Sequence, residues 1–516
     1  MKIAVLSSAS AGGAGIAAYR IFEALSIHQN HSVDFFDMSI LGHASIEVSP
    51  HASATNREIT NTHFTTDYAS NSRAWLIDML AEYDCLNIQW SSYLLSIAEI
   101  LELAKLGVNI LFTLHDFYFI TGGCHYPAGC TGYRENCVGC SQVNEQMYTY
   151  QDVIHALKIK REIFSYPNIH LSAPSEYIVN SAVKSGIIPK ERGHVLRNAY
   201  QPIKTTPVPA DPGVFSLLLI ADSFLEERKG IELAINAIIE FCKINQTSSD
   251  NFNLHVVGTC EKDIPAMLAE ANLTLTLHGH VSGHDNLVEI FQQCKYMLTC
   301  SYEDNWPNIL VEAGAYGCIP IVGKGHGCEE FCLELNTGII SKEYSNRAFA
   351  DSLNSALNIS TANRLAMAES LIEKTRKMHS YAVVSEKYLS TLIGISNQHN
   401  TIITRPNITS DKSQKLQVSE NYLGRLTKSL LLENKIKNHA HDSLEISIFD
   451  TPFKCLDSKG KANLVVNYDD QTSEKIHIEP RQNIQLAIVE KSRCMTSVFT
   501  LGSCSFGLME FNIQLL

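Results

Sequence analysis

The stretch Ser301-Tyr-Glu-Asp-Asn-Trp-Pro-Asn-Ile-Leu-Val-Glu-Ala-Gly-Ala-Tyr-Gly-Cys-Ile-Pro320 decides the fold. It follows the apolar run Tyr296–Cys300, which predicts a buried strand. Pro307 predicts the start of a helix, and Gly317 and Pro320 predict its end. A strand that passes into a helix through a short loop is typical of a domain in which helices cover a parallel sheet.

Two carboxylates in this stretch indicate a binding site. Glu312 is the only charged residue between Pro307 and Lys324, and a carboxylate among apolar neighbours is costly to bury unless a polar group meets it. Asp304 precedes the predicted helix, whose first N–H groups favour anions. The pattern suggests a pocket for a polyhydroxylated, phosphate-bearing ligand. A helix-capping Asp304 and a structural Glu312 explain it equally well.

Composition limits the class of protein. A length of 516 residues allows about three domains, and a hydrophobic content of 45% supports packed cores. The net charge of -13 argues against general nucleic-acid binding. No apolar run is long enough to span a bilayer, and the N-terminus predicts a strand rather than a signal peptide. We expect a cytoplasmic protein whose 15 cysteines are mostly reduced.

Strand-like and helix-like segments alternate from residue 2 to about residue 340, which predicts an α/β fold with two Rossmann-like domains facing a cleft. We expect an N-terminal domain over 1–205, a second domain with crossing-back helices over 206–395, a linker over 396–440 and a small β-rich module over 441–516. The predicted strands are Lys2–Leu6, Ser32–Phe36, Cys85–Gln89, Asn109–Leu114, Asn168–Ser172, Phe215–Ala221, Asn253–Gly258, Leu273–Leu277, Tyr296–Cys300 and Ile319–Val322.

Other segments carry weaker signals. Residues 41–72 predict a long, mobile loop, the proline-rich run 207–212 predicts a linker, and residues 361–392 predict helix. Short antiparallel strands are expected at Leu444–Phe449, Asn463–Tyr468, Lys475–Ile478 and Ile484–Val489.

The first glycine loop has two interpretations. Gly13-x-Gly15-x-x-Ala18 matches the dinucleotide fingerprint, and Asp34 and Asp37 follow at a suitable distance. Several small residues separate these glycines from the first strand, however, and a loop of that kind can instead let a sugar or a diphosphate approach the backbone. A plain tight turn is the third possibility.

Further candidates lie at strand ends. His115 ends a predicted strand and precedes Asp116, at the edge where open α/β sheets bind ligands; a structural histidine is the alternative. Arg228-Lys229-Gly230 opens a predicted helix, and two cations there oppose the helix dipole unless they hold an anion. A solvated cluster paired with neighbouring glutamates is the alternative for these two cations.

Four cysteines, Cys124, Cys130, Cys137 and Cys140, fall in one glycine-rich loop after His115. Their number in a cytosolic chain suits a structural zinc site, although the first two are spaced more widely than is usual. Free core thiols and a disulfide pair are the alternatives.

Together these residues resemble a retaining glycosyltransferase of the GT-B fold, in the large GT4 group, over about residues 1–395. Asp304 and Glu312, separated by seven residues, resemble the paired-acid motif of that family, although its first acid is usually Glu. Arg228-Lys229-Gly230 resembles the site for the donor diphosphate, and Gly12-Gly13 resembles the N-terminal glycine loop. The segment Gly122–Pro127 is similar to a subgroup associated with bacterial surface polysaccharides.

The resemblance implies roles for particular residues. His115, Asp304 and Glu312 would be catalytic, with Glu312 on the donor ribose and the other two on the transferred sugar. The donor, a nucleotide-diphosphate sugar, would be bound by a larger set. That set is Gly12, Gly13, Arg228, Lys229, Asn305, Pro307, Asn308 and Ile309.

The resemblance also implies partners. The acceptor would be a glycan or a lipid-linked saccharide, which allows peripheral docking at the inner face of the cell membrane, and no catalytic metal is expected. An Arg common in the family after the strand that ends near Ala221 is missing, and Arg228 would replace it. The rival hypotheses are an NAD-dependent oxidoreductase, a nucleotide-sugar epimerase or hydrolase, and a non-catalytic glycan-binding protein.

Overall fold

The first domain is built on a six-stranded parallel sheet. The computed structural model describes residues 1–42, 64–66, 73–143, 149–203, 213–259, 262–281 and 283–399, and the backbone of eight strands after residue 414. The strands of the first sheet are β1 (Lys2–Ser7), β2 (Ser32–Phe36), β3 (Cys85–Trp90), β4 (Ile110–Thr113), β5 (Ile169–Ala173) and β6 (Gly193–Val195). Their order is β2-β1-β3-β4-β5-β6, and every pairing is parallel. The α-helices are α1 (Gly12–Ser26), α2 (Met38–Leu41), α3 (Ala74–Ala81), α4 (Ile97–Lys105), α5 (Tyr150–Ser165) and α6 (Glu176–Lys184).

The second domain repeats this architecture. Its strands are β7 (Phe215–Ser223), β8 (Phe252–Thr259), β9 (Thr274–Gly279), β10 (Tyr296–Thr299), β11 (Ile319–Val322) and β12 (Ile339–Ile340). They form a parallel sheet in the order β12-β11-β10-β7-β8-β9. Its helices are α7 (Ile231–Asn245), α8 (Ile264–Met267), α9 (His284–Gln293), α10 (Asn308–Gly314), α11 (Gly327–Leu335) and α12 (Asn346–Leu357). The α/β prediction with two Rossmann-like domains is confirmed.

All ten predicted strands of these two sheets are present, with ends that differ by at most two residues. The edge strands β6 and β12 were not predicted, because three and two residues are too few to show a period. The prediction that Pro320 ends a helix is wrong. Helix α10 already ends at Gly314, and Pro320 lies inside β11 opposite Met297. β12 begins only opposite Ile321, so the missing N–H of the proline costs no bond on that side.

Two long helices tie the domains together. The predicted helical stretch 361–392 is two helices, α13 (Thr361–His379) and α14 (Tyr381–His399). α14 returns to the first domain, where its Tyr388 and Leu392 are buried in one cluster with Ile21 and Leu25 of α1. The end of the chain's second domain therefore contributes to the core of the first.

The strands after residue 414 form two antiparallel sheets of four strands. They are β13 (Lys415–Ser419), β14 (Ser443–Phe449), β15 (Ala462–Tyr468), β16 (Ser473–Ile478), β17 (Asn483–Ala487), β18 (Val489–Glu490), β19 (Arg493–Leu501) and β20 (Glu510–Leu515). β13 lies in the range expected to be a linker, but it pairs with β20 and so belongs to the β-rich module. The exact domain boundaries stay a prediction.

Two sequence predictions lie mainly outside the described residues: the loop over 41–72 and the linker over 207–212. None of the helices in the described part of the chain combines the length and the apolar character that a bilayer-spanning segment needs.

Replacing Leu392 by alanine is expected to destabilise the first domain. The side chain is fully buried between α14 and α1, and truncation of such a leucine costs about 2–5 kcal/mol. Urea unfolding followed by tryptophan fluorescence measures the change. Ile393→Ala, at the neighbouring and exposed position, is the control. Equal effects of the two substitutions would contradict the packing of α14 described here.

Candidate functional site

The loop between β10 and α10 lies between the two sheets, at the carboxyl end of β10. Trp306 in this loop is buried, with the Arg197 guanidinium 3.9 Å from the centre of its ring. Pro307 is the N-cap of α10, which confirms the predicted helix start. From this loop the Asn305 side chain reaches the first domain, whereas the Asp304 carboxylate meets cations of its own domain.

A buried ion cluster surrounds Asp304. Its carboxylate lies 2.7 Å from Lys229 Nζ and 3.1 Å from Arg228 Nη1, and Arg228 also pairs with Glu226 at 2.6 Å. Burial alone would raise the pKa of Asp304, but the two cations hold it below its ordinary value. In this structure the partners of the two cations are acids of the same chain, Asp304 and, for Arg228, the neighbouring Glu226 of the alternative interpretation. Binding of a ligand phosphate by Arg228 and Lys229 stays a prediction.

One glycine makes this cluster possible. Arg228 and Lys229 lie in a 3-10 turn (Glu227–Lys229), and Gly230 follows with a φ of +63° before α7 begins. A Cβ at Gly230 would lie 2.2 Å from the carbonyl oxygen of Cys300. Only glycine therefore lets the turn approach the end of β10. The two cations directly precede α7, which begins at Ile231.

The second acid pairs across the domain boundary. Glu312 Oε1 accepts a hydrogen bond from Arg20 Nη1 of α1 at 2.6 Å, and both side chains are largely buried. The Arg20 guanidinium lies 4.9 Å from the ring centre of Tyr200, whose hydroxyl is 2.9 Å from His284 Nε2. Burial lowers the pKa of His284. Three residues, Arg20, Tyr200 and His284, thus lie around the Glu312 carboxylate.

Neighbouring polar groups of the motif are also bonded to the first domain. Glu303 accepts hydrogen bonds from the backbone N–H of Ala128 at 2.9 Å and from the Tyr177 hydroxyl at 2.7 Å. Asn305 Nδ2 donates to the carbonyl of Leu114 at 2.9 Å. The Asn305 side chain, predicted to bind donor, therefore contacts the first domain directly.

The first glycine loop is also bonded to the motif, through Asn308. Asn308 Nδ2 donates to the carbonyl of Gly13 at 2.8 Å, and Asn308 Oδ1 accepts from Asn198 at 2.8 Å. α1 begins at Gly12, so Gly12 and Gly13 are its first two residues. The other predicted donor residues of this region, Pro307 and Ile309, are partly exposed beside them.

The dinucleotide hypothesis finds little support in this geometry. The Asp34 carboxylate accepts from the Tyr83 hydroxyl at 2.8 Å, and Asp37 caps α2 through the backbone N–H of Ser39. Both acids therefore already have a partner within the first domain.

His115 lies at the carboxyl end of β4, as predicted. Its Nε2 is 2.7 Å from Gln89 Oε1, and burial lowers the pKa of His115 to about 4. The ring is therefore neutral at pH 7 and acts through hydrogen bonds rather than charge. The adjacent Asp116 is bonded to His125 Nδ1 at 2.7 Å.

The four cysteines of the following loop are free thiols. Burial raises the pKa of Cys124, and the other three thiols raise it further. Within the described ranges, no group of three or more His, Cys, Asp or Glu side chains is placed so that it could hold a metal ion. The thiols do not fit a zinc ion in this arrangement, and the structural zinc stays a prediction.

Several residues of the site were not predicted from sequence. From the first domain, Arg20, Tyr177 and Asn198 contact the motif, and Tyr126 contacts Arg228. Their partners lie more than 100 residues away. No local pattern marks such pairs in a single sequence.

Comparisons with known proteins agree with the fold. Residues 217–378 match the family model described as glycosyl transferases group 1. Sucrose-phosphate synthase from Thermosynechococcus elongatus superposes with a TM-score of 0.52 at 15% identity over 77% of this chain and 100% of that one. HepE from Anabaena, solved in complex with UDP, gives 0.51 at 13% identity over 76% and 100%. Both similarities show the fold, which is GT-B-like.

A curated relative is also similar in sequence. WcaC of Escherichia coli, which carries the provisional description of a colanic acid biosynthesis glycosyl transferase, is 21% identical over 228 residues. The match covers 42% of this chain and 52% of WcaC, so the chain spans about half the length of this relative. The second domain thus resembles the group 1 glycosyltransferases.

Asp304→Asn is expected to destabilise the protein by about 3 kcal/mol at pH 7, because it leaves Lys229 and Arg228 without their buried counter-ion. The folded-state pKa of Asp304 lies below its unfolded value of about 3.9. The difference between wild type and variant is therefore complete above that pH and disappears as pH falls through the folded-state pKa. Urea unfolding at several pH values measures it.

The exposed pair between Lys243 and Glu270 provides the control. Glu270→Gln removes the same charge from a 2.6 Å pair and should leave the unfolding free energy nearly unchanged, since water screens exposed pairs. A pH-independent loss in Asp304→Asn would contradict the ion-pair explanation.

The zinc prediction is tested by metal analysis of anaerobically purified protein. A bound zinc ion, lost together with thermal stability when Cys137 and Cys140 are changed to Ser, would support it. Cys242→Ser, a buried thiol of α7 in the other domain, is the control for metal content. Absence of zinc with unchanged stability of the double variant excludes the site.

Proposed function

We propose that this protein is a retaining glycosyltransferase of the GT4 group, which moves a sugar from a nucleotide-diphosphate sugar to a glycan or lipid-linked acceptor. One observation carries the proposal. Within the segment that matches group 1 glycosyltransferases, Asp304 pairs with Arg228 and Lys229, and Glu312 pairs with Arg20 of the first domain. Asn305 of the same segment bonds to Leu114, the residue before His115. Two fixed cations and two largely buried acids are suited to a diphosphate and to sugar hydroxyls.

The cations would neutralise the departing diphosphate. In the structure, the Asp304 carboxylate forms ion pairs with Lys229 and Arg228. A donor diphosphate would take over these two charges, and the Asp304 carboxylate would turn to hydroxyls of the transferred sugar. Positive charge that is already in position needs no rearrangement when the bond to the sugar breaks. Because these side chains supply the charge, we expect no catalytic metal.

Arg20 would release the Glu312 carboxylate, and Glu312 would then bind the ribose hydroxyls of the donor. The carboxylate is already desolvated and held by one cation, so exchange of Arg20 for a hydroxyl pair changes few other contacts. The neutral His115 would form a hydrogen bond with the transferred sugar, as donor or as acceptor.

Transfer with retention would proceed by attack on the front face. The acceptor oxygen forms a bond to the anomeric carbon, the bond from that carbon to the diphosphate oxygen breaks, and the acceptor proton passes to the departing phosphate oxygen. Contacts between the domains would exclude water during this step.

We also propose that the reaction takes place in the cytoplasm, in the assembly of a bacterial surface polysaccharide. A lipid-linked acceptor would bring the protein to the inner face of the membrane. The provisional description of WcaC and the similarity of Gly122–Pro127 to a polysaccharide subgroup support this role.

Lys229→Ala and Glu312→Ala are each expected to reduce transfer about 100- to 1000-fold without unfolding the protein. The donor is first identified by thermal shift with UDP-, GDP-, ADP- and dTDP-sugars, since a ligand of the native state raises the melting temperature. Lys243→Ala, which removes an exposed lysine of the same domain, is the matched control. Wild-type turnover in both site variants would overturn the assignment.

The same screen separates the rival functions. A thermal shift with NAD(H) alone indicates the oxidoreductase. Release of nucleoside diphosphate together with an altered sugar, in the absence of acceptor, indicates the epimerase or hydrolase. Binding of sugar nucleotide without turnover indicates the non-catalytic protein.

A further inference from the structure

A row of buried polar side chains crosses the middle of the first sheet and ends at His115. It consists of Gln89 and Asn87 of β3, Thr113 of β4 and Ser172 of β5, each at most 2% exposed. Consecutive members are 2.7 to 2.9 Å apart, and Gln89 is 2.7 Å from the ring of His115. We refer to these four residues as the buried polar chain. Polar groups inside a sheet are tolerated only when they satisfy one another, so the direction of each bond matters.

Two backbone carbonyls set the direction of these bonds, because a carbonyl oxygen can only accept. Nδ2 of Asn87 is 3.0 Å from the carbonyl oxygen of Leu111 and therefore carries the hydrogens of the amide. Oδ1 of Asn87 is then the atom that faces Gln89. At the other end, the hydroxyl of Ser172 donates to the carbonyl of Phe112 at 3.2 Å. The orientation of the Asn87 amide is thus fixed by the backbone around it.

The same reasoning reaches His115 in two steps. Oδ1 of Asn87 can only accept, so the Gln89 atom that meets it must be the donor Nε2. Oε1 of Gln89 then faces Nε2 of His115, and this oxygen can also only accept. The neutral imidazole therefore carries its proton on Nε2, which leaves Nδ1 as an acceptor. Burial lowers the pKa of His115 to about 4, so the neutral form prevails at pH 7.

We propose that Gln89 and Asn87 are positioning residues that keep His115 protonated on Nε2, so that its Nδ1 accepts a hydrogen bond from a hydroxyl of the transferred sugar. The inference rests on the proposed function and narrows it, because the sugar must then donate to His115. Nδ1 of His115 has no hydrogen-bond partner among the described residues. The neighbouring Leu114 carbonyl accepts from Asn305 at 2.9 Å, which places His115 beside the acidic segment of the second domain.

The tautomer of His115 can be measured without a variant or a ligand. In full-length protein with isotope-labelled histidine, proton–nitrogen correlation spectra at neutral pH distinguish the two neutral tautomers. The signals that are missing in His115→Gln assign this residue. We expect a ring protonated on Nε2. A wild-type ring protonated on Nδ1 would refute the inference and leave the proposed function standing.

Two variants test whether the buried polar chain determines this tautomer. Asn87→Leu removes the partner that orients the Gln89 amide but does not touch His115, and it should produce a mixture of both tautomers. Asn109→Leu removes another buried amide of the first domain, which donates to the carbonyl of Asp84, and should leave the His115 signals unchanged. The wild-type tautomer in folded Asn87→Leu would contradict the positioning role.

Gln89→Leu tests the effect on sugar binding. We expect kcat/KM for transfer to fall about 10- to 100-fold, because the His115 ring loses its buried partner. The thermal shift by the sugar nucleotide that the screen identifies should decrease, whereas the shift by the corresponding nucleoside diphosphate, which lacks the sugar, should not. Asn109→Leu is again the control. Equal loss of both shifts would indicate a general structural role and would contradict the inference, as would unchanged transfer.

Analogues of the same donor, with one sugar hydroxyl replaced by hydrogen or by fluorine, test the direction of the bond. The hydroxyl that meets His115 is the one whose removal has no further effect in His115→Gln. At that position fluorine should be no better than hydrogen in the wild type, since fluorine cannot donate. If fluorine restores transfer, His115 donates and the inference is wrong. Absence of any nucleotide-sugar binding would refute the proposed function, and with it this role, but not the measured tautomer.

Discussion

Four side chains of the segment from Glu303 to Glu312 are bonded to the other domain, and the arrangement of the two domains depends on this contact. Glu303, Asn305, Asn308 and Glu312 each have a partner in residues 1–203. Buried polar groups are costly unless they are paired. Any other placement of the two sheets would break these hydrogen bonds and leave several buried polar groups without a partner. A hydrophobic contact would tolerate sliding, whereas this set of directional bonds does not.

The cations near the contact between the domains are each paired with a carboxylate of the same chain. The protein carries a net charge of -13, yet Arg20, Arg228 and Lys229 converge on two carboxylates between the domains. Each acid is neutralised by cations of the same chain. The two carboxylates thus offset the free-energy cost of desolvating these cations before a ligand binds. An anionic ligand needs only to exchange with a carboxylate, and the cations do not have to be desolvated anew.

Local patterns predicted the strands and the start of α10, because each depends on residues near in sequence. The partners of the motif could not be predicted in the same way. Arg20 and Glu312 are 292 residues apart, and only the packing of α1 against the second domain brings them together. The helical start at Gly12 was also missed, since a run of small residues fits a loop and a first helical turn equally well.

Adjacent residues of the cysteine-containing loop face two different parts of the cleft. The His125 ring packs between Trp90 and Tyr118, whereas the Tyr126 ring lies 3.9 Å from the Arg228 guanidinium. Two residues further on, the Ala128 N–H donates to Glu303. A shift of this loop must therefore move the aromatic stack and the surroundings of Arg228 together. Gln142 bonds to the Tyr126 carbonyl and fixes the loop from its far side. The loop thus contacts both the aromatic stack of the first domain and the acidic segment of the second.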